Sequence, residues 1–122
     1  MSGNDDSPKQ GDIVWIDAEP HAGHEYGGHD FKDNIRRPML VISSDTYNRR
    51  TGMITGFPIT SKIPIDFYAS LKLKNDKIHG YIILSNLLGY DFSARHGKVV
   101  SHVDKQLKEQ ALSAIRDIFS VY

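Results

Sequence analysis

The stretch Gly11–Asp17, GDIVWID, predicts the first strand of this chain. Its centre is β-branched and aromatic, which favours a β-strand over a helix. A second apolar run, Met39–Ser43, follows directly after Pro38 and predicts a buried strand that opens at the proline, since proline removes a backbone donor from a sheet. Residues 18–37 between these runs contain glycines and three histidines without a hydrophobic period, so we predict a long functional or mobile loop.

The rest of the pattern predicts further strands, a brief helix and a long terminal helix. Ser44 is a helix-start residue and Gly52 a helix stop, which predicts one or two helical turns between them. Apolar residues recur at intervals of three and four from Val103 to Val121, as in an amphipathic helix, and Ser101 with Asp104 resembles a capping box. The other predicted strands are Met53–Ile59, Phe67–Leu73, His79–Leu84 and Gly97–Val100. This order indicates a mainly β protein, a small antiparallel barrel.

Length and composition indicate one globular domain. The chain has 122 residues, of which 39% are hydrophobic and 25% charged. Residues 1–10 are polar and predict a disordered lead, so the domain is expected over residues 11–122. No apolar run approaches the ~20 residues of a membrane span, and the acidic N-terminus does not resemble a signal peptide. Together with the absence of cysteine, these features lead us to expect a cytoplasmic protein.

The zero formal charge hides an asymmetry. Residues 1–30 contain seven acidic residues and one basic residue, whereas residues 31–122 contain eight acidic and fourteen basic residues. The two parts therefore have net charges of −6 and +6. A basic body attracts phosphate, so the neutral total is compatible with RNA as a partner, although scattered bases are equally typical of a solvated surface.

Two short motifs identify the candidate site. Arg37 directly precedes Pro38, and Pro58-Ile59-Thr60-Ser61 ends the third predicted strand. With the first strand, these motifs resemble the MazF/PemK toxin family over nearly the whole chain. The resemblance implies an SH3-like antiparallel barrel, a homodimer, and a metal-independent endoribonuclease that needs no cofactor. It also implies single-stranded mRNA as the substrate and a small acidic antitoxin as the inhibiting partner.

The resemblance assigns the central chemistry to Arg37 and Thr60. A guanidinium suits the charge that develops on a phosphodiester under attack by its 2′-hydroxyl, and a threonine hydroxyl can donate to a phosphate oxygen. By position alone, Arg37 would point into water and Thr60 would bond its own backbone in a turn. The matches to both motifs favour the catalytic interpretation.

The predicted loop supplies two more catalytic candidates, His24 and Glu25. Histidine transfers protons near neutral pH, and PemK-like proteins have a similar Gly-His-Glu segment. The proton acceptor stays open between Arg37, His24 and Glu25, since arginine is a poor base. His21, His24 and His29 do not form a standard metal pattern, so no metal is expected. The expected RNA-binding residues are Arg36, Ser61, Lys62 and Arg95. Arg36 could also substitute for Arg37.

The chain departs from the family pattern at two places. Ile83 and Ser85 stand where some PemK-like proteins carry an arginine and an aspartate, and the loop before Arg37 is longer than usual. These departures keep a rival hypothesis open. The same barrel serves a gyrase-poisoning toxin and other binding modules that perform no chemistry, and a member of the family can be catalytically silent.

Overall fold

Antiparallel strands form most of the protein. The computed structural model describes residues 6–18, 35–64, 69–74 and 77–121. In chain order these residues form β1 (Asp12–Asp17), β2 (Arg36–Val41), α1 (Asp45–Thr51), β3 (Met53–Thr60), β4 (Ser70–Lys74), β5 (His79–Ile83), β6 (Leu88–Asp91), β7 (Lys98–His102) and α2 (Lys105–Phe119). The predicted fold class is confirmed, including the short helix after the second strand and the C-terminal helix.

The strands pair in the order β4-β5-β3-β2-β1-β7, and β6 pairs with β3. All pairings are antiparallel. β3 is the central strand: Met53–Gly56 pairs with β6, whereas Ile59 and Thr60 pair with β5. On its other edge β3 pairs with β2. Because β3 exchanges one partner for another along its length, the sheet curls into a half-barrel around it.

The apolar runs of the first two strands are continuous because both faces of the sheet are buried. In β1, Ile13 belongs to one core cluster, whereas Val14 and Ile16 belong to a second. In β2, Leu40 and Met39 divide between the same two clusters. Successive side chains of a strand point to opposite faces, so a strand buried on both faces has no polar alternation. The first cluster also receives apolar side chains from α2, namely Leu107, Ala111, Leu112, Ala114 and Ile115.

Helix α1 ties the start of the chain to the barrel. The Ser44 side chain accepts a hydrogen bond from the Tyr47 amide, and Gly52 ends the helix at a φ of 74°, as predicted. Asn48 is 1% exposed and donates from its amide nitrogen to the Pro8 carbonyl over 2.9 Å. Pro8 is itself buried. The packed part of the chain therefore begins before residue 11, whereas residues 1–5 of the predicted disordered lead lie outside the described residues.

Two local predictions were wrong: the capping box of Ser101 with Asp104 and the start of the second strand at Pro38. Asp104 alone caps α2, because its side chain accepts from the Leu107 amide over 2.8 Å, whereas Ser101 lies within β7. Pro38 does not open its strand but is the third residue of β2. It is tolerated because the β2–β3 ladder ends at Met39, so at Pro38 the strand has a ladder partner on the β1 side alone.

Strand β6 was absent from the predicted elements. Leu88 and Tyr90 are partly buried, whereas Gly89 and Asp91 are exposed. A run of four residues with glycine in second place gives almost no alternating signal. The predicted fourth strand begins at Ser70 in the structure, and its first residues, 67 and 68, lie outside the described ranges.

Candidate active site

The antiparallel pairing of β2 with β3 brings the two sequence motifs together. The last pair of this ladder is Met39 with Pro58. Arg37 and Thr60 each lie two residues beyond that pair, at the same end of the ladder. Both line one cavity of about 390 Å³. Its other lining residues are Trp15, Arg36, Pro38, Ile59, Ser61, Lys62, Lys77, Ile78 and His79.

The cavity has a strongly cationic lining. Arg36, Arg37, Lys62 and Lys77 contribute positive groups, and its described lining contains no aspartate or glutamate. Several like charges in one concave surface concentrate the positive potential and attract anions. The arrangement therefore suits a phosphate group, and Arg37 offers the planar fork that matches two phosphate oxygens.

Arg37 and Thr60 are both available to a ligand. Arg37 is exposed, and its guanidinium makes no hydrogen bond or ion pair with residues in the described ranges. The Thr60 hydroxyl oxygen accepts a hydrogen bond from the Lys62 amide over 3.1 Å. This is the turn-forming bond anticipated from the sequence, and it leaves the hydroxyl hydrogen free to donate. The bond also holds Ser61 and Lys62 in the turn at the cavity.

Arg36, unlike Arg37, makes contacts within the protein. Its guanidinium donates to an Asp17 carboxylate oxygen over 2.8 Å and to the His96 carbonyl over 2.8 Å. The other Asp17 oxygen lies 2.7 Å from His96 Nδ1. We call Asp17, Arg36 and His96 the polar clamp. It joins the end of β1, the start of β2 and the turn before β7, so Arg36 is engaged in internal contacts although it lines the cavity.

Arg95, predicted to contact RNA, lies outside this cavity. Its guanidinium donates to the Asp17 carbonyl over 3.1 Å and lies 4.9 Å from the centre of the Tyr90 ring. The first contact holds the turn between β6 and β7 against β1, and the second holds it against Tyr90 of β6. The structure therefore gives Arg95 a structural position beside the polar clamp. Ser61 and Lys62, by contrast, line the cavity, and their contact with RNA stays a prediction.

The polar clamp contains the one buried carboxylate in the described part of the chain. Asp17 is 8% exposed. Hydrogen bonds from Arg36 and His96 hold the pKa of its carboxyl below the ordinary value of 3.8, against the opposing effect of burial. The clamp therefore stabilises the fold only while Asp17 is ionised.

Replacement of Asp17 by Asn is expected to lower the free energy of unfolding by about 2–3 kcal/mol at neutral pH, because charged hydrogen bonds are lost. In the wild-type chain this stabilisation is complete above pH 3.8 and is lost as the pH falls through the lower pKa of the folded state. Urea unfolding over a range of acidic pH values measures both effects. Asp6→Asn, at an exposed position, is the control and should behave as wild type. Equal acid sensitivity of Asp17→Asn and wild type would contradict the prediction.

His24 and Glu25, the two loop candidates, lie outside the described residues, as do His21 and His29. Within the described ranges, no group of three or more His, Cys, Asp or Glu side chains is placed to hold a metal ion. Ile83 ends β5 and Ser85 follows it in a turn, and neither lines the cavity. The structure thus places Arg37, Thr60, Ser61 and Lys62 together and leaves the loop candidates as predictions.

The structure adds His79 to the candidate site. It is the first residue of β5 and lines the cavity with Arg37 and Thr60. The next residue, Gly80, has a φ of 150°, and a Cβ added there would lie 2.3 Å from the Thr60 carbonyl oxygen. Only glycine permits this approach of β5 to β3. A histidine followed by glycine at a strand start was the available sequence signal, but it does not reveal which strand lies alongside.

The fold and the cavity define a class of small curled antiparallel proteins that present an arginine and a threonine hydroxyl in one cationic groove. The chain belongs to the family described as PemK-like, MazF-like toxin of type II toxin-antitoxin system, which matches residues 9–119. None of the helices in the described ranges is long and apolar enough to cross a membrane.

Individual proteins are similar to this chain in sequence or in fold. The endoribonuclease toxin MazF of Escherichia coli K12 is 38% identical over 55 residues, which cover 45% of this chain and 43% of MazF. The aligned part thus spans less than half of that relative. The endoribonuclease toxin ChpB of the same organism is 28% identical over 114 residues, covering 90% of this chain and 92% of ChpB. The MazE-MazF (Form-III) structure from Deinococcus radiodurans superposes with a TM-score of 0.78 at 20% identity, covering 95% and 99% of the two chains.

Proposed function

We propose that this protein is the toxin of a type II toxin–antitoxin system and a metal-independent endoribonuclease that cleaves single-stranded mRNA. The observation that supports this most directly is the shared cationic cavity of Arg37 and Thr60, which contains no carboxylate among its described lining residues. The similarity to two proteins named endoribonuclease toxins supports it independently. Because mRNA is the substrate, the proposed site of action is the cytoplasm.

In the proposed reaction the RNA supplies its own nucleophile. The 2′-oxygen attacks the adjacent phosphorus, the bond to the 5′-oxygen breaks, and a 2′,3′-cyclic phosphate remains on the upstream fragment. Arg37 is placed to neutralise the charge that grows on the non-bridging oxygens, and Thr60 donates its hydroxyl hydrogen to the same group. Ser61 and Lys62 bind the neighbouring phosphates, since both line the cavity. His24 and Glu25, which lie outside the described residues, stay predicted catalytic residues with no step assigned to them.

The proposed protein partners are a second copy of this chain and a cognate antitoxin. An acidic antitoxin segment would complement the cationic cavity and exclude RNA from it. The similarity of fold to the MazE-MazF structure supports such a partner. Sedimentation of the purified chain at the mass of one chain only would contradict the dimer. Undiminished RNA cleavage in a stable complex with the antitoxin would contradict inhibition at the groove.

The decisive experiment for the proposed function is cleavage of a long single-stranded RNA with excess EDTA. Fragments with 2′,3′-cyclic phosphate and 5′-hydroxyl ends are expected, because the described residues offer no metal-ligand cluster and the substrate carries the nucleophile. A perfectly paired duplex of the same sequence is the matched control and should stay intact, since an A-form helix restrains in-line attack. Loss of cleavage in EDTA that added Mg²⁺ restores would contradict the proposal.

The rival function, a binding module without chemistry, gives a different result in the same experiment. Such a protein retards the RNA in a mobility assay but leaves every fragment end unchanged. Intact RNA at saturating protein, with the fold confirmed by circular dichroism, would favour the rival.

A further inference from the structure

The cationic cavity contains one described side chain that can accept a proton near neutral pH, and that side chain is His79. Arg36, Arg37, Lys62 and Lys77 are proton donors at such pH values, and the described lining has no carboxylate. Attack by a 2′-hydroxyl requires that its proton be taken up as the new bond forms. Resting on the function proposed above, we propose that His79 is the general base of the cleavage reaction.

The strand pairing fixes His79 close to the phosphate-binding residues. Thr60 pairs with Tyr81, and Gly80 passes against the Thr60 carbonyl, where a Cβ would lie only 2.3 Å away. His79 directly precedes this point of closest approach and therefore enters the cavity beside the Thr60–Lys62 turn. Its position is therefore set by the pairing of β5 with β3 and β4.

His79 is also chemically available. It is exposed, and its ring has no hydrogen bond or ion pair with any residue in the described ranges. His96 provides the contrast, because its Nδ1 lies 2.7 Å from the Asp17 carboxylate and belongs to the polar clamp. Because the described residues leave its ring unrestrained, His79 can turn to meet a substrate hydroxyl, which is the requirement for a general base.

A ring nitrogen of neutral His79 takes the proton of the 2′-hydroxyl, and the 2′-oxygen forms a bond to phosphorus. The bond from phosphorus to the 5′-oxygen breaks, and the 5′-oxygen leaves with the electron pair and takes a proton from water. The imidazolium of His79 then returns its proton to solvent. Arg37 holds the negative charge of the intermediate throughout, and no oxidant or metal enters the step.

The test is the pH dependence of single-turnover cleavage by His79→Gln. Glutamine keeps a polar side chain but cannot accept the proton, so the rate is expected to fall about 10²–10⁴-fold and the acidic limb of the pH–rate profile to disappear. His102→Gln is the matched control, because His102 is an exposed histidine on β7 that does not line the cavity. Its profile should equal that of the wild type. His24→Ala should retain the acidic limb.

A chemical rescue separates proton transfer from structural support. Free imidazole is expected to restore part of the activity of His79→Ala, with a pH dependence that follows the added imidazole. A variant that had merely lost a positioning contact would show no such rescue. Full activity of His79→Gln, or an unchanged acidic limb in a slowed variant, would overturn the assignment.

A binding measurement distinguishes failure of this inference from failure of the proposed function. A non-cleavable 2′-deoxy oligonucleotide is titrated into the wild-type chain while the imidazole signals are followed by NMR. The His79 signals are expected to shift, and those of His102 are not. If the oligonucleotide binds but the His79 signals stay unchanged, the base is elsewhere and the endoribonuclease proposal survives. A chain that neither binds the oligonucleotide nor cleaves RNA overturns both.

Discussion

A single 2′-deoxy substitution at the scissile nucleotide is expected to abolish RNA cleavage by this protein. The proposed reaction takes its nucleophile from the substrate, so removal of one oxygen atom leaves no group to attack the phosphorus. Binding should be nearly unchanged, because the phosphate contacts proposed for the cavity residues Arg37 and Lys62 do not involve the 2′-hydroxyl. Gel analysis of an end-labelled oligonucleotide measures cleavage, and fluorescence anisotropy of the same molecule measures binding.

The position of the substitution provides the control. A 2′-deoxy nucleotide one step upstream or downstream removes an equivalent hydroxyl but leaves the nucleophile in place, so cleavage should continue. Cutting of the scissile-deoxy substrate at the normal rate would show that water is the nucleophile. The cyclic-phosphate mechanism and the proposed role of His79 would then both fail, whereas a hydrolytic nuclease with the same groove would remain.

The parts of the fold that followed from the sequence are those determined by local chemistry. β1 and β2 are apolar without alternation because each contributes side chains to both core clusters. Ser44 and Gly52 bound α1 through contacts within a few residues of each other. Such signals lie inside a short window, so they can be detected without knowledge of the partner strands.

The parts that did not follow depend on which strands become neighbours. Arg36 resembled a second RNA-binding arginine, yet its partners Asp17 and His96 lie 19 and 60 residues away. Pro38 is tolerated inside β2 because the β2–β3 ladder ends at Met39, the residue that follows Pro38. Neither fact is visible in a window around residues 36–38. The same limitation concealed His79, which shares a cavity with Thr60 only because β5 pairs with β3.

The residues of the candidate site also differ in whether a local sequence signal identified them. Arg37 and Thr60 were identified by their motifs, and the register of β2 against β3 explains why the two residues line the same cavity. The cavity also includes residues that lie outside both motifs, such as His79. The proposed proton acceptor is one of these residues, whereas Ile83 and Ser85 stand where some PemK-like proteins carry an arginine and an aspartate.

Arg37→Ala is expected to reduce kcat/KM by a transition-state loss of roughly 3–5 kcal/mol, which is roughly a hundred- to several-thousand-fold. The guanidinium meets charge that is greatest in the transition state, so the loss should fall mainly on kcat. Arg37 is exposed and makes no hydrogen bond or ion pair with described residues, so the melting temperature should be unchanged. Single-turnover kinetics with a defined oligonucleotide, alongside thermal unfolding, measures both quantities.

Three comparison variants make the result specific to Arg37. Thr60→Ala removes one neutral hydrogen bond and should cost less, about 1–3 kcal/mol in the same measurement. Arg50→Ala removes an exposed arginine from α1, away from the cavity, and should leave kcat/KM unchanged.

Arg36→Ala is the third comparison and separates structure from chemistry. It should mainly lower stability, because its guanidinium is bound to Asp17 and to the His96 carbonyl in the polar clamp. If Arg37→Ala instead keeps full activity while folded Arg36→Ala loses it, the arginine assignment must move by one residue. The phosphate would then be bound by a guanidinium that must first release a buried carboxylate, and activity would depend on the ionisation of Asp17.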